Sequence, residues 1–111
     1  MSNTKDMGKI LEGIRKIGGV RKAALISRNG MHIYGDTFPD NDTFSAMSAI
    51  IMGAGENAMR NSGDARYVLV DYPGFVLLVI PAGDRGILAV QADEDVYDEL
   101  VPFVRELDHM I

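Results

Sequence analysis

The segment that most resembles a ligand-binding motif is Gly53-Ala54-Gly55-Glu56-Asn57-Ala58. It fits the G-x-G-x-x-A form of the dinucleotide fingerprint, and Asp71 follows eighteen residues after its first glycine, where an acid can bind a ribose. That mechanism needs a strand running into the first glycine, whereas Ser45 to Met52 is rich in Ala and Ser. The pattern is therefore more typical of close helix packing than of a nucleotide site.

The acidic groups do not form a convincing metal site or catalytic pair. One cluster lacks the Asp-x-Asp-x-Asp-Gly spacing and the closing Glu of a calcium loop, and it suits a solvated loop better. That cluster consists of Asp36, Asp40, Asn41 and Asp42. The consecutive Asp93-Glu94-Asp95 fan around the backbone instead of converging, so they indicate the start of a helix.

Nucleophiles and metal-binding nitrogens are equally sparse. His32 and His109 are far apart and lack His-x-x-x-His spacing. No Ser lies in a Gly-x-Ser-x-Gly elbow, and the absence of Cys removes thiol catalysis and thiolate metal sites. The sequence therefore predicts no catalytic residue, no cofactor and no metal, so the protein is not expected to be an enzyme.

Composition predicts one domain, spanning residues 1–111, with a core that needs no disulfides. The N-terminus has no apolar targeting region and no segment is long enough to span a bilayer, so the expected location is the cytoplasm, without membrane insertion. A net charge of -5 argues against nucleic acid as a partner.

The charge is unevenly distributed along the chain. Residues 1–28 contain seven Lys and Arg against two acids, a net charge of +5, which leaves -10 for the remainder. Two interpretations are open. This end of the chain either packs beside the acidic C-terminal helix, which we favour, or forms a basic surface for an acidic partner or membrane.

Apolar spacing predicts a first helix that ends at Gly18-Gly19, with a buried stripe of Met7, Ile10, Leu11, Ile14 and Ile17. A strand from Val20 to Ser27 follows, and Asn29-Gly30 supplies the positive φ angles of a tight turn into Met31 to Tyr34.

Asp42 is the predicted N-cap of a second, longer helix that reaches Arg60. Three apolar runs then form an antiparallel meander, because their connections are too short for parallel crossovers. Those runs are Tyr67 to Val70, Phe75 to Ile80 and Ile87 to Val90. The middle run does not alternate, which predicts helices on both faces of the sheet.

The last predicted helix carries its apolar stripe on Val96, Tyr97, Leu100, Val101, Val104 and Leu107. Pro102 interrupts the pattern, so the helix either kinks there or restarts near Asp98.

The second helix is apolar on every side, since no charge occurs from Thr43 to Gly55. One stripe, predicted to cover the sheet, contains Phe44, Met47, Ile51, Ala54 and Ala58. The other contains the small residues Ala46, Ala49, Ile50, Gly53 and Asn57. A single sheet can bury only one stripe, so we expect the other to be an exposed interface.

The order helix, hairpin, long helix, meander, helix resembles the Roadblock family, named for a dynein light chain. The resemblance rests on Ala23 to Met31, Phe44 to Ile51, and Phe75 to Gly83 leading into Gly86 to Val90. It implies an α/β (α+β) Roadblock/longin-like sandwich. Such a sandwich has a five-stranded antiparallel sheet, with the long helix on one face and the terminal helices on the other.

The same resemblance implies a homodimer that pairs through Ser45 to Asn57 and Arg66 to Val70. The predicted interface comprises Ala46, Ala49, Ile50, Gly53, Asn57, Arg66, Tyr67, Val68, Leu69 and Val70. A short chain of this type is similar to the bacterial gliding-motility regulators, which implies a non-enzymatic regulator or scaffold of a small Ras-like GTPase. The alternatives are a small-ligand sensor, a general assembly scaffold or, less favoured, a dinucleotide-binding protein.

Overall fold

A computed structural model describes residues 3–111, with side chains from Lys5 onward. The first two residues of the predicted domain lie outside the described part. The elements, in chain order, are α1 (Asn3–Arg15), β1 (Val20–Ser27), β2 (His32–Gly35), α2 (Asn41–Ala58), a 3-10 turn (Arg60–Ser62), β3 (Val68–Tyr72), β4 (Phe75–Ala82), β5 (Gly86–Ala92) and α3 (Tyr97–Asp108). The predicted order of elements is confirmed.

The strands form one antiparallel sheet in the order β2-β1-β5-β4-β3. The strands β5 and β4 are the most deeply buried, and β2 and β3 lie at the two edges. This arrangement confirms the predicted five-stranded sheet and meander.

Helices cover both faces of the sheet. On one face α1 and α3 pack with Leu11, Leu78 and Leu100 in one apolar cluster. On the other face α2 packs over a second cluster that contains Leu77 and Met52. Successive β4 residues therefore enter different cores, which is why its sequence does not alternate between apolar and polar residues.

The turn between β1 and β2 differs from the prediction. Only Gly30 has a positive φ angle, of 86°, and Asn29 does not share it. Leu25 pairs with Tyr34 and Ile26 with His32, which leaves Ile33 as an extra residue in β2. This bulge, in place of a second left-handed residue, accommodates the hairpin. The second strand is His32–Gly35, one residue later than expected.

The start of α2 also differs. The helix begins at Asn41 and its N-cap is Asp40, with φ 51° and ψ 61° and no capping hydrogen bond from its side chain. Asn41 instead accepts a hydrogen bond from the backbone N–H of Phe38 at 2.9 Å. Asp42, the predicted cap, lies in the first turn, where its charge suits the helix dipole.

The last helix begins at Tyr97, next to the predicted restart at Asp98, and Pro102 lies inside it, beyond the first turn. Of the three preceding acids, Asp95 acts at the helix start, because it accepts a hydrogen bond from the backbone N–H of Tyr97 at 2.9 Å. Asp93 instead pairs with Arg21 at 2.6 Å. Together with the contact between α1 and α3, this ion pair supports internal packing of the basic N-terminal region.

Candidate interaction surface

The β3 edge is the first component of the surface. This strand pairs with β4 through five consecutive residues, and within residues 3–111 no strand pairs with its other side. Val68 and Val70 pack toward α2. Leu69, which lies between them in the strand, does not belong to that cluster and is 36% exposed. A regular edge strand with unpaired backbone groups is a template for pairing with another chain.

Tyr67, predicted as part of that strand, precedes it and serves a different contact. Its ring stacks on Tyr97 with 4.1 Å between centroids, and its hydroxyl donates to Asp95 at 2.6 Å. That hydrogen bond, followed by burial, raises the pKa of Tyr67. The side chain therefore fastens the start of β3 to the α3 side of the sheet.

The buried face of α2 is not the predicted stripe. Ser45, Ser48 and Met52 are buried against the sheet, whereas Met47, Ala54 and Ala58 of the predicted stripe are exposed. Phe44 and Ile51 pack at the border of the core.

Small side chains explain this orientation, because they allow the backbone of α2 to approach the sheet closely. A Cβ added at Gly55 would lie 2.6 Å from Val68 Cγ2 of β3. The hydroxyls of Ser45 and Ser48 are buried and have no hydrogen-bond partner within the described residues. The two serines act here as small core residues, a role that their polarity concealed in the sequence.

The predicted small-residue stripe divides between two sides of α2. Ile50 is 59% exposed, Asn57 is exposed, and a Cβ added at Gly53 would meet no atom within 4 Å. Ala46 is half-buried, while Ala49 packs against the core under the helix. The outward surface of α2 is therefore centred on Ile50, and Gly53 lies half-buried at its border.

The glycine fingerprint lies wholly inside α2, so no strand runs into Gly53. Asp71 lies within β3, and its side chain is exposed. The geometry required for pyrophosphate binding is therefore missing, and Gly55 instead permits close packing against Val68.

Two of the remaining polar candidates, Asp36 and His32, have structural contacts. Asp36 accepts hydrogen bonds from the Ala23 backbone and from Arg15, at 2.9 and 3.1 Å. Burial raises the pKa of Asp36, but these hydrogen bonds and nearby positive charges outweigh that effect and leave the pKa lowered. His32 Nε2 lies 3.2 Å from the Asp36 carbonyl oxygen. Over the described residues, no group of three or more acids and histidines could hold a metal ion.

Comparison with known proteins identifies this architecture. The family model of the Roadblock/LC7 domain matches residues 7–92. The chain belongs to the Roadblock/LC7 family. The resemblance inferred from the sequence is thereby confirmed, and so is the Roadblock/longin-like fold. No curated protein sequence matches this Roadblock chain significantly.

Solved structures show the same fold. A Roadblock/LC7 domain from Streptomyces avermitilis has a TM-score of 0.80 at 23% identity, covering 92% of this chain and 94% of its own. The gliding protein MglB from Thermus thermophilus has a TM-score of 0.87 at 19% identity, with coverage of 99% and 91%. Myxococcus xanthus MglB has a TM-score of 0.86 at 13% identity, with coverage of 98% and 97%.

A helix that crosses a bilayer needs about 20 predominantly apolar residues. None of the helices within residues 3–111 combines the length and apolar character needed to cross a membrane.

Proposed function

We propose that this Roadblock protein is a homodimeric, non-enzymatic regulator or scaffold of a small Ras-like GTPase, acting in the cytoplasm. The observation that carries the proposal is the open β3 edge beside the outward surface of α2. Family membership and the similarity to MglB structures support a role of the GTPase-regulator type.

The edge geometry favours a two-fold pairing. If β3 pairs with β3 of a second copy, two five-stranded sheets join into one, and both copies of α2 lie on the same face. This arrangement satisfies the backbone groups of β3 and covers Leu69 and Ile50, two large apolar side chains that are otherwise exposed. Both features of the surface are then explained by one contact.

The exposure of the predicted interface residues supports different roles for them in the proposed dimer. The exposed ones are Ile50, Asn57, Arg66 and Leu69, whereas Ala46 and Gly53 are half-buried at the border. Ala49, Val68 and Val70 pack inward, so they support the surface from beneath. A charge in place of Ala49 would damage the core of the monomer as well, so Ile50 and Leu69 are the better sites for testing the dimer.

The GTPase part of the proposal is tested by binding. Small Ras-like GTPases from the same organism, loaded with GDP or with a non-hydrolysable GTP analogue, are titrated against the immobilised Roadblock protein. We expect one GTPase to bind with a preference for one nucleotide state. Absence of binding by every such GTPase in both states would contradict this part and favour a general assembly scaffold.

A further inference from the structure

A groove lies beside α2, over the part of the sheet that the helix leaves uncovered. Ser48 lies at the contact between helix and sheet, and Leu77 forms part of the apolar floor. The groove has a volume of about 540 Å³. Binding sites for small molecules typically occupy about 300–1,000 Å³ and are lined mainly by apolar and aromatic groups.

Aromatic rings form the walls of the groove. Phe38 stacks on Phe44 with 3.8 Å between ring centroids, and Tyr72 stacks on Phe75 at 4.9 Å. All four line the groove, although the whole chain contains only four Phe and four Tyr. Such walls offer flat apolar surface for the body of a ligand.

Two hydrogen-bond donors lie side by side at one end of the groove. Lys22 of β1 and Gln91 of β5 are directly paired across the sheet, and both side chains line the groove. Lys22 Nζ donates to the Thr37 carbonyl oxygen at 2.7 Å and retains further donor capacity. An ammonium and an amide in adjacent positions can together bind the two oxygens of a carboxylate.

The charge of the lining indicates which head group fits. Lys22 is the one ionised side chain that lines the groove among the described residues, and no carboxylate joins it there, although the protein as a whole has a net charge of -5. Lys22 also forms no ion pair within 4 Å across residues 5–111.

We infer that the groove is a binding site for a small free amphipathic carboxylate. Its apolar body lies between the aromatic walls, and its head group lies on Lys22 and Gln91. This inference does not depend on the proposed GTPase, and the groove borders the β3 edge through Tyr72, the last residue of that strand.

Octanoate and 1-octanol are suitable probes, because they share an apolar chain and differ in the charge of the head group. Calorimetric titration should show saturable binding of octanoate, tighter than that of octanol by roughly fivefold, the factor that an ion pair of about 1 kcal/mol supplies. An apolar surface without a positive charge would bind octanol more tightly than octanoate, since a carboxylate loses more hydration than an alcohol.

Variants of Lys22 separate its charge from its packing. Lys22→Met should abolish the preference for octanoate and leave octanol binding unchanged, whereas Lys22→Arg should retain the preference. Lys9→Met is the matched control, because Lys9 belongs to α1, on the other face of the sheet, and its loss should have no effect.

Three results would overturn the inference. These are the absence of saturable octanoate binding, an affinity for octanol equal to or higher than that for octanoate in the parent protein, and an equal loss of octanoate affinity in the Lys9→Met control. Light scattering during the titration supplies a further check. If octanoate binds only as the protein loses mass, the groove is a contact between copies of the chain and not a ligand site.

Discussion

The two edges of the sheet expose apolar side chains to a similar extent, yet they differ in regularity. Ile33 on β2 is 41% exposed and Leu69 on β3 is 36% exposed. The β2 strand has four residues, and its pairing with β1 shifts register between Leu25 and Ile26. The β3 strand has five residues that pair with β4 without interruption.

The chain turns inward directly after β2 and ends the strand, so we call the β2 edge the closed edge. A Cβ at Gly35, which has φ 103°, would lie 2.7 Å from the Ala23 carbonyl oxygen. Asp36 then turns inward to the Ala23 backbone and to Arg15. Bulges and short strands are common means of preventing pairing at an edge. The comparison indicates that strand regularity, and not apolar exposure alone, marks β3 as the edge available to a partner.

Matched lysine substitutions should give the largest difference between the two edges. Leu69→Lys would place an ammonium beside its symmetry mate in the proposed dimer, at a cost of several kcal/mol, and should convert a dimer to a monomer. Ile33→Lys makes the same change at the closed edge and should leave the mass unchanged. Light scattering coupled to chromatography measures both, and equal masses for the two variants would contradict the assignment of β3.

A second experiment tests how firmly the closed edge is held against α2. Gly30→Ala should lower the free energy of unfolding by roughly 1–3 kcal/mol, because the residue has φ 86° and the added Cβ would lie 3.0 Å from Ala46 Cα. Gly74→Ala, at φ 90° with no atom within 4 Å of the added Cβ, isolates the backbone strain. Denaturant unfolding that gives the same loss for both would show that the contact with Ala46 contributes nothing.

Two glycines of α2 provide a smaller test at the open edge. Gly53→Ala should stabilise the helix by up to about 1 kcal/mol in a Leu69→Lys background, since open space surrounds the added Cβ. Gly55→Ala should gain less or lose stability, because its Cβ would contact Val68 of β3. Thermal unfolding of both variants measures the difference. A larger gain for Gly55→Ala would mean that α2 does not pack closely on β3.

The smallest expected effect concerns pH at the closed edge. The lowered pKa of Asp36 means that its carboxylate stabilises the fold above the unfolded pKa, near 4, and loses this contribution as the pH falls through the folded value. Asp36→Asn should therefore cost about 1 kcal/mol at pH 7, and the difference from the parent protein should shrink toward pH 3. A difference that stays constant between these pH values would contradict the ionic role of Asp36.

Much of the fold could be predicted because apolar periodicity reports burial directly. The apolar stripe of α1 correctly predicted which side of that helix is buried. The unbroken apolar run of β4 correctly predicted that helices cover both faces of the sheet. The orientation of α2 could not be predicted in this way, since Ala, Gly and Ser differ little in apolar character. Because α2 lies close to the sheet, the small side chains of Ser45 and Ser48 pack in the core, whereas Met47 and Ile50 are exposed. The cap at Asp40 was missed because its left-handed backbone is rare for a residue other than glycine.

The candidate surface was predicted only in outline. An edge strand and an outward face on α2 follow from the order and composition of the elements. The inward position of Ala49 and the attachment of Tyr67 to Asp95 depend on tertiary contacts that no local pattern encodes. The groove was missed for the same reason, because Lys22 and Gln91 are far apart in the sequence and become neighbours through strand pairing.

Hydrogen–deuterium exchange at two protein concentrations tests the role of the β3 edge most directly. Amides of β3 (Val68–Tyr72) and β2 (His32–Gly35) are compared at high and low micromolar concentration in the parent protein. Pairing through β3 predicts that protection of its amides rises with concentration, while that of β2 stays constant. Protection of β3 that is independent of concentration in a monomeric protein, or a rise confined to β2, would contradict the account.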